Sequence, residues 1–168
     1  MKRNRFLHTG LLAALQLLIS LPALALTTFD GKPAQVSDYL EEGKWLVVMI
    51  WASDCRICNQ EVSQYVDFHF VHQDEDARVL GISIDGQAGK AAAEQFISRH
   101  DVNFPNLLGE PEEVAAWYRR LTGSAFVGTP TFLFFDPRGG LVAKQVGAVP
   151  TELIEKFMQA QARPEAQP

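Results

Sequence analysis

A pair of cysteines, Cys55 and Cys58, stands where an apolar run ends and a segment of helical spacing begins. The run 45–50 is typical of a buried strand, and apolar residues recur through 57–71 at near-helical intervals. The first sulfur is therefore expected at the N-terminus of a helix, where unpaired N–H groups and the helix dipole favour an anion. Because the thiolate is the nucleophile of disulfide exchange, this pattern predicts a redox-active dithiol.

The alternative is a purely structural disulfide. The chain has 2 cysteines, both in this motif. A bridge between them encloses only two residues and would restrain the unfolded chain very little. The structural interpretation is therefore the weaker one.

Residues 1–25 have the pattern of a signal peptide. Basic residues precede the apolar stretch 11–24, and Ala23-Leu24-Ala25 matches a small-residue cleavage site. An uncleaved membrane anchor is the alternative, but the apolar stretch is short for a bilayer span and contains polar residues and a proline. We therefore predict cleavage after Ala25, a periplasmic location, one domain over 26–162 and a flexible tail over 163–168.

The charge balance bears on the partners of the chain. It has 15 lysines and arginines against 20 aspartates and glutamates, which gives a formal charge of -5. Loss of the basic residues Lys2, Arg3 and Arg5 with the leader would move this charge from -5 to -8. Nucleic-acid partners are not expected, because they require a basic surface.

The remaining pattern predicts parallel strands that alternate with helices and end in an antiparallel hairpin. This order is typical of an α/β fold with a mixed central sheet and helices on both faces. Before the first central strand we expect a short helical turn over 38–42, capped by Ser37 and ended by Gly43. The predicted strands are 45–51, 78–85, 131–135 and 141–146, and the predicted helices are 56–72, 86–100, 111–121 and a last one from 150 or 151.

Two motifs resemble the two halves of a thioredoxin-fold active site. They are the tripeptide 51–53 ahead of Cys55-Arg56-Ile57-Cys58, and Gly128-Thr129-Pro130-Thr131 at the start of a later strand. Together with the leading turn Phe29-Asp30-Gly31-Lys32 and the extra helical material between 85 and 129, they make the chain similar to the exported TlpA/ResA/DsbE-like branch. The resemblance implies a thioredoxin-like mixed sheet and a protein-disulfide oxidoreductase. Such a protein needs no bound cofactor, acts on protein thiols and disulfides, receives electrons from a membrane donor of the DsbD type, and is expected to be a monomer.

The resemblance also implies a role for each matching position. Cys55 would be the exposed attacking thiol, Cys58 the buried resolving thiol, and Glu61 a group that takes or supplies a proton during exchange. The Thr129-Pro130 peptide bond would be cis, with Thr129 pairing with the substrate backbone. The residues expected to bind substrate are Thr129, Pro130, Trp51 and Arg56.

Two positions depart from the usual thioredoxin pattern. Asp54 stands before the first cysteine in place of the usual tryptophan, which changes the apolar platform offered to substrates. Met49 occupies the position of the buried aspartate of thioredoxins, so Glu61 becomes the best local proton acceptor.

Metal binding is a second use for the same cysteines. Cys55, Cys58, His69 and His72 form a pattern that invites comparison with a zinc site, but the histidines are too close in sequence for the usual spacing. The dithiol alone could carry Cu(I), which favours soft thiolate ligands, although no cluster of methionine and histidine lies nearby in the sequence. We therefore expect no metal site.

A thiol peroxidase is the remaining alternative. Segments 82–85, 96–100 and 104–105 resemble peroxiredoxins. Those proteins, however, have threonine two or three residues before a lone peroxidatic cysteine, whereas this chain has Ala-Ser-Asp at 52–54 and a Cys-x-x-Cys.

Overall fold

The computed structural model describes residues 26–162; the predicted signal peptide 1–25 and the predicted tail 163–168 lie outside the described residues. Among the helices of 26–162, none is both long and apolar enough to cross a bilayer. The strands are β1 (Leu26–Thr28), β2 (Pro33–Ala34), β3 (Trp45–Trp51), β4 (Ala77–Ser83), β5 (Asn106–Leu108), β6 (Thr131–Phe135) and β7 (Leu141–Val146). The helices are α1 (Arg56–His72), α2 (Gly86–Arg99), α3 (Pro111–Thr122) and α4 (Thr151–Ala162).

The strands form one mixed sheet in the order β2-β1-β5-β4-β3-β6-β7. The central strand β3 pairs in parallel with β4 and antiparallel with β6. Because β6 runs opposite to β3, it begins where β3 ends, and Thr131 pairs with Ile50. The two sequence motifs at 51–58 and 128–131 therefore lie at the same edge of the sheet.

Both faces of β3 are buried, which explains its unbroken apolar sequence. Alternate side chains of a strand point to opposite faces. Trp45, Val47, Met49 and Trp51 pack in one core cluster with residues of α1, α2 and α4, whereas the intervening residues pack in a second cluster with residues of α3. The predicted α/β architecture, with helices on both faces of a mixed sheet, is confirmed.

The short helical turn before β3 differs from its prediction. It is a 3-10 helix over Val36–Tyr39, so Ser37 lies inside the turn and does not cap it. The turn begins earlier than expected because Val36 is buried in the second core cluster. The Asp38 carboxylate accepts a hydrogen bond from the backbone N–H of Gln35 at 2.8 Å.

His69 is buried on α1 and makes the stability of the fold depend on pH. Its Nδ1 accepts a hydrogen bond from the backbone N–H of Val79 at 3.1 Å, a role that only the neutral ring can fill. Burial, and next the positive charge of Arg78, lower the pKa of His69 below its ordinary 6.5. The folded protein therefore binds a proton at His69 less readily than the unfolded chain does.

We predict that unfolding free energy is lost as the pH falls below about 6.5, with a slope of up to about 1.4 kcal/mol per pH unit from this one group. In His69→Gln that part of the loss should disappear, because glutamine can still accept from Val79 N–H but does not titrate. Urea denaturation at pH 7.5, 6.5 and 5.5 measures the free energy of unfolding of the parent and of His69→Gln. His72→Gln, on the same helix, is the control. The same acid sensitivity in both variants and the parent would contradict the prediction.

Candidate active site

The two cysteines form a disulfide at the start of α1. Cys55 is the N-cap residue of the helix, and its Sγ accepts a hydrogen bond from the backbone N–H of Cys58 at 3.1 Å. Cys58 is 0% exposed and belongs to the core, whereas Cys55 is half-buried. The neighbouring side chain of Arg56 is exposed. A partner arriving from solvent can therefore reach only the first sulfur.

The Thr129-Pro130 peptide bond is cis, as the resemblance implied. It immediately precedes β6, whose first residue pairs with the end of β3. Thr129 is half-buried and Pro130 is buried. The Thr129-Pro130 bond therefore lies at the end of the sheet where β3 ends and the turn to Cys55 begins.

The loop after β7 is tied to both Pro130 and α1. The backbone N–H of Gly147 donates to the Pro130 carbonyl at 2.9 Å, and the Tyr65 hydroxyl donates to the Val149 carbonyl at 2.9 Å. Burial is the main cause that raises the pKa of Tyr65 to about 12, and the nearby charge of Glu61 acts in the same direction. The phenol therefore stays protonated and serves as a fixed structural donor.

Glu61 lies three residues beyond Cys58, on the same side of α1, and is half-buried. Its Oε2 accepts a hydrogen bond from Gln64 Nε2 at 2.5 Å. Gln64 Oε1 in turn accepts from the backbone N–H of Thr151 at 3.0 Å, at the start of α4. The carboxylate is thus held on α1 by Gln64, which itself bonds to the start of α4, and its role as a proton acceptor stays a prediction.

Asp85 fixes the turn that precedes Cys55, and sequence reasoning did not select it. Its two oxygens accept from the backbone N–H of Ser53 at 3.1 and 3.0 Å, and also from the hydroxyls of Ser53 and Ser83 at 2.6 Å each. The only signal available in the sequence was its position at the end of an apolar strand segment.

Asn59 holds the same turn from the other side. Its Nδ2 donates to the carbonyls of Ser53 at 3.0 Å and Cys55 at 2.9 Å. Its Oδ1 accepts from Arg99 Nη2 at 2.7 Å and lies 3.0 Å from His100 Nε2. Nothing in the sequence pointed to this group, because its members are 40 residues apart.

Trp51 does not have the position expected of a substrate-binding residue. Its side chain is 1% exposed, stacks on Phe96 with 4.3 Å between ring centroids, and donates from Nε1 to Asn106 Oδ1 at 3.0 Å. Gly81 makes room for this bond, since a Cβ there would overlap the Asn106 oxygen and lie 2.8 Å from the indole nitrogen. In this structure Trp51 therefore lies beneath the site and supports it, and direct contact with a substrate stays a prediction.

The histidines of the hypothetical zinc pattern have other partners. His69 accepts from Val79 in the core, and His72 lies against Asp76 and Glu155. Within the described part of the chain, no group of three or more histidine, cysteine or acidic residues is arranged to hold a metal ion. Met49 is wholly buried between β4 and β6, so the core beside the cysteines is apolar at that position.

Comparison with known proteins assigns the chain to a family. The family model described as AhpC/TSA family matches residues 20–144. The chain belongs to the AhpC/TSA family. Among curated proteins of similar sequence is "Thiol-disulfide oxidoreductase ResA" of Oceanobacillus iheyensis, 26% identical over 130 residues. That alignment covers 77% of this AhpC/TSA chain but only 62% of the longer relative.

Solved structures share the fold of this AhpC/TSA chain at low sequence identity. The thioredoxin domain of a thiol-disulfide oxidoreductase from Bacteroides vulgatus has a TM-score of 0.64 and 21% identity, over 83% of this chain and 99% of that one. A secreted disulfide oxidoreductase of Mycobacterium tuberculosis, described as homologous to DsbE, has a TM-score of 0.59 and 23% identity, over 79% and 92%. The thioredoxin-like fold and the resemblance to the TlpA/ResA/DsbE-like branch are therefore confirmed.

Proposed function

We propose that this AhpC/TSA-family protein is a periplasmic thiol-disulfide oxidoreductase that reduces disulfides in partner proteins. The observation that carries the proposal is the Cys55–Cys58 disulfide at a helix N-terminus, with one sulfur accessible and the other wholly buried. The similarity to a relative named as a thiol-disulfide oxidoreductase supports the activity. A neighbour described as secreted and the signal-peptide pattern of residues 1–25 support the location.

The reaction begins with the reduced protein. The Cys55 thiolate attacks one sulfur of a partner disulfide, so that the partner's S–S bond breaks and its second sulfur leaves as a thiolate that takes up a proton. Cys58 then gives up its proton, with Glu61 as the acceptor, and attacks the Cys55 sulfur of the mixed disulfide. The Cys55–Cys58 bond forms and the partner's first sulfur is released. The partner gains two electrons, and a membrane donor must restore the dithiol.

The surface around Cys55 suits an extended protein segment. Thr129 is proposed to pair with the partner backbone beside the disulfide. Exposed apolar side chains lie within or next to the two motifs: Ile57, inside the first motif, is 44% exposed, and Val127, just before the second, is 72% exposed. Asp54 and Arg56 are exposed on either side of Cys55 and would select among partners by charge.

Charges around Cys55 set the proposed direction of electron flow. Arg56 and the helix N-terminus stabilise a thiolate and hence the reduced protein, whereas Asp54 and Glu61 oppose them. We predict a reduction potential closer to the thioredoxin value, about -270 mV, than to the DsbA value, about -120 mV. Arg56→Glu should make the couple more reducing and Asp54→Asn less so, with Arg120→Glu, on the opposite face of the sheet, as a control.

Equilibration with glutathione buffers measures the reduction potential. The rate at which the chemically reduced protein reduces a protein disulfide substrate measures the activity. A potential near the DsbA value, with rapid oxidation of unfolded thiol substrates, would reverse the proposed direction. Faster turnover of hydrogen peroxide than of protein disulfides would favour the peroxidase alternative. Tight binding of one Cu(I) per dithiol without any disulfide reduction would favour a metal carrier.

A further inference from the structure

We propose that Asn59 is a positioning residue for Cys55 and that Arg99 acts through it to favour the reduced form of the disulfide. The inference deepens the proposed function, since it concerns the redox poise of the same cysteine pair. It rests on hydrogen bonds that join the helix carrying the cysteines to the C-terminal end of α2.

The Asn59 amide group is fully occupied by the turn around Cys55. Its two N–H groups donate to the carbonyls of Ser53 and Cys55, at 3.0 and 2.9 Å. The Asn59 backbone N–H also donates to the Cys55 carbonyl, at 3.0 Å. Asp85 accepts from the N–H of Ser53, so the turn is held on both sides. A change at Asn59 should therefore alter the conformation of the turn at Cys55.

The oxygen of the same amide faces the side chains of Arg99 and His100. Arg99 Nη2 donates to Asn59 Oδ1 at 2.7 Å. His100 Nε2 lies 3.0 Å from that oxygen and 3.5 Å from Arg99 Nε. The shorter contact is a hydrogen bond in the tautomer that carries its proton on Nε2, because an amide oxygen only accepts. Burial, and next the charge of Arg99, lower the pKa of His100. Around pH 7 the pair therefore brings one positive charge, that of the guanidinium.

This charge favours the thiolate that appears when the disulfide is reduced. A cation on the acceptor side of Asn59 polarises the amide and strengthens the bonds it donates to the Cys55 turn. The hydrogen bonds of Asn59 also hold the guanidinium on the side of the Cys55 turn, where its charge attracts the Cys55 thiolate. In the equilibrium of oxidised protein and two glutathiones with reduced protein and glutathione disulfide, the cation favours the reduced protein, because the thiolate is present only on that side.

The test is the equilibrium constant of the purified protein with glutathione at pH 7. Arg99→Gln should lower the reduced fraction, with an equilibrium constant about threefold smaller, a size typical of one partly screened surface charge. Arg99→Lys should retain most of the parent value. Arg120→Gln, which makes the same charge change on α3, should leave it unchanged. An unchanged constant in Arg99→Gln, or an equal change in Arg120→Gln, would overturn the proposal.

A double-mutant cycle separates positioning from simple proximity. In an Asn59→Ala background, Arg99→Gln should have little further effect, because the link to the Cys55 turn is already gone. Full additivity would show that Arg99 does not act through Asn59. Thermal unfolding of each variant confirms that it is folded. The measurement needs no protein substrate, so a failure of the proposed reductase activity leaves it intact, whereas a failure here leaves that activity standing.

Discussion

Replacing Cys58 with serine is expected to leave the protein covalently attached to its partners, whereas replacing Cys55 should abolish attachment. Cys55 lies at the helix start and is accessible, so it forms the mixed disulfide; Cys58 is 0% exposed and can only resolve it. Both changes should reduce turnover by at least about a thousandfold, since each removes a group that acts covalently. Non-reducing gels and mass spectrometry of trapped species from the native host measure the outcome.

Serine in place of Cys58 puts a hydroxyl into the core, so Cys58→Ala provides a second resolving-cysteine variant and should trap equally well. The double variant lacking both sulfurs should trap nothing. Equal trapping by Cys55→Ser and Cys58→Ser would overturn the assignment of roles. The identity of the trapped proteins would define the substrate class.

The sequence predicted the central elements well because their signals are local. The bounds of β3, α1, β6 and β7 agree with the predictions: each strand is a short run bounded by turn residues, and α1 begins at the cysteine that caps it. The end of β4 was predicted two residues too late. The side chain of Ser83 already bonds to Asp85, which is the N-cap residue of α2.

The groups that hold the Cys55 turn could not be predicted in the same way. Asp85 reaches Ser53 across 32 positions, and Arg99 reaches Asn59 across 40. Such contacts depend on how α2 packs against α1, which hydrophobic spacing does not specify. Local patterns thus located the reacting sulfurs, while the residues that orient them emerge only from the packed structure.

Trp51 illustrates how a resemblance can leave the place of a side chain open. The resemblance implied a substrate-binding role for Trp51, but it is the last residue of β3, and that strand is buried on both faces. Its indole lies under the turn, against Phe96 of α2. Phe96 also contacts the ring of His100, with 4.7 Å between centroids, so Trp51 supports the cluster around Asn59.

The main effect of Trp51→Ala should therefore be a loss of unfolding free energy and not a loss of substrate affinity. Removing a buried indole leaves a cavity and typically costs about 3–5 kcal/mol, a large part of the stability of a domain of this size. It also leaves Asn106 Oδ1 without the donor that it has in the parent protein. Trp117→Ala, at a half-buried position on α3, should cost less. Denaturant unfolding of the oxidised proteins measures the difference, and equal losses would contradict this account.

Trp51→Phe distinguishes support from substrate binding. Phenylalanine keeps an aromatic ring against Phe96 but cannot donate to Asn106, so the expected loss is about 1–3 kcal/mol, the usual cost of leaving a buried acceptor unpaired. A protein destabilised by that amount remains folded under assay conditions if it began within the usual range for a domain. Its KM for a protein disulfide should then equal that of the parent, because the indole is 1% exposed. A several-fold rise in KM with unchanged stability would show that Trp51 meets the substrate after all, in a conformation in which the turn above it has opened.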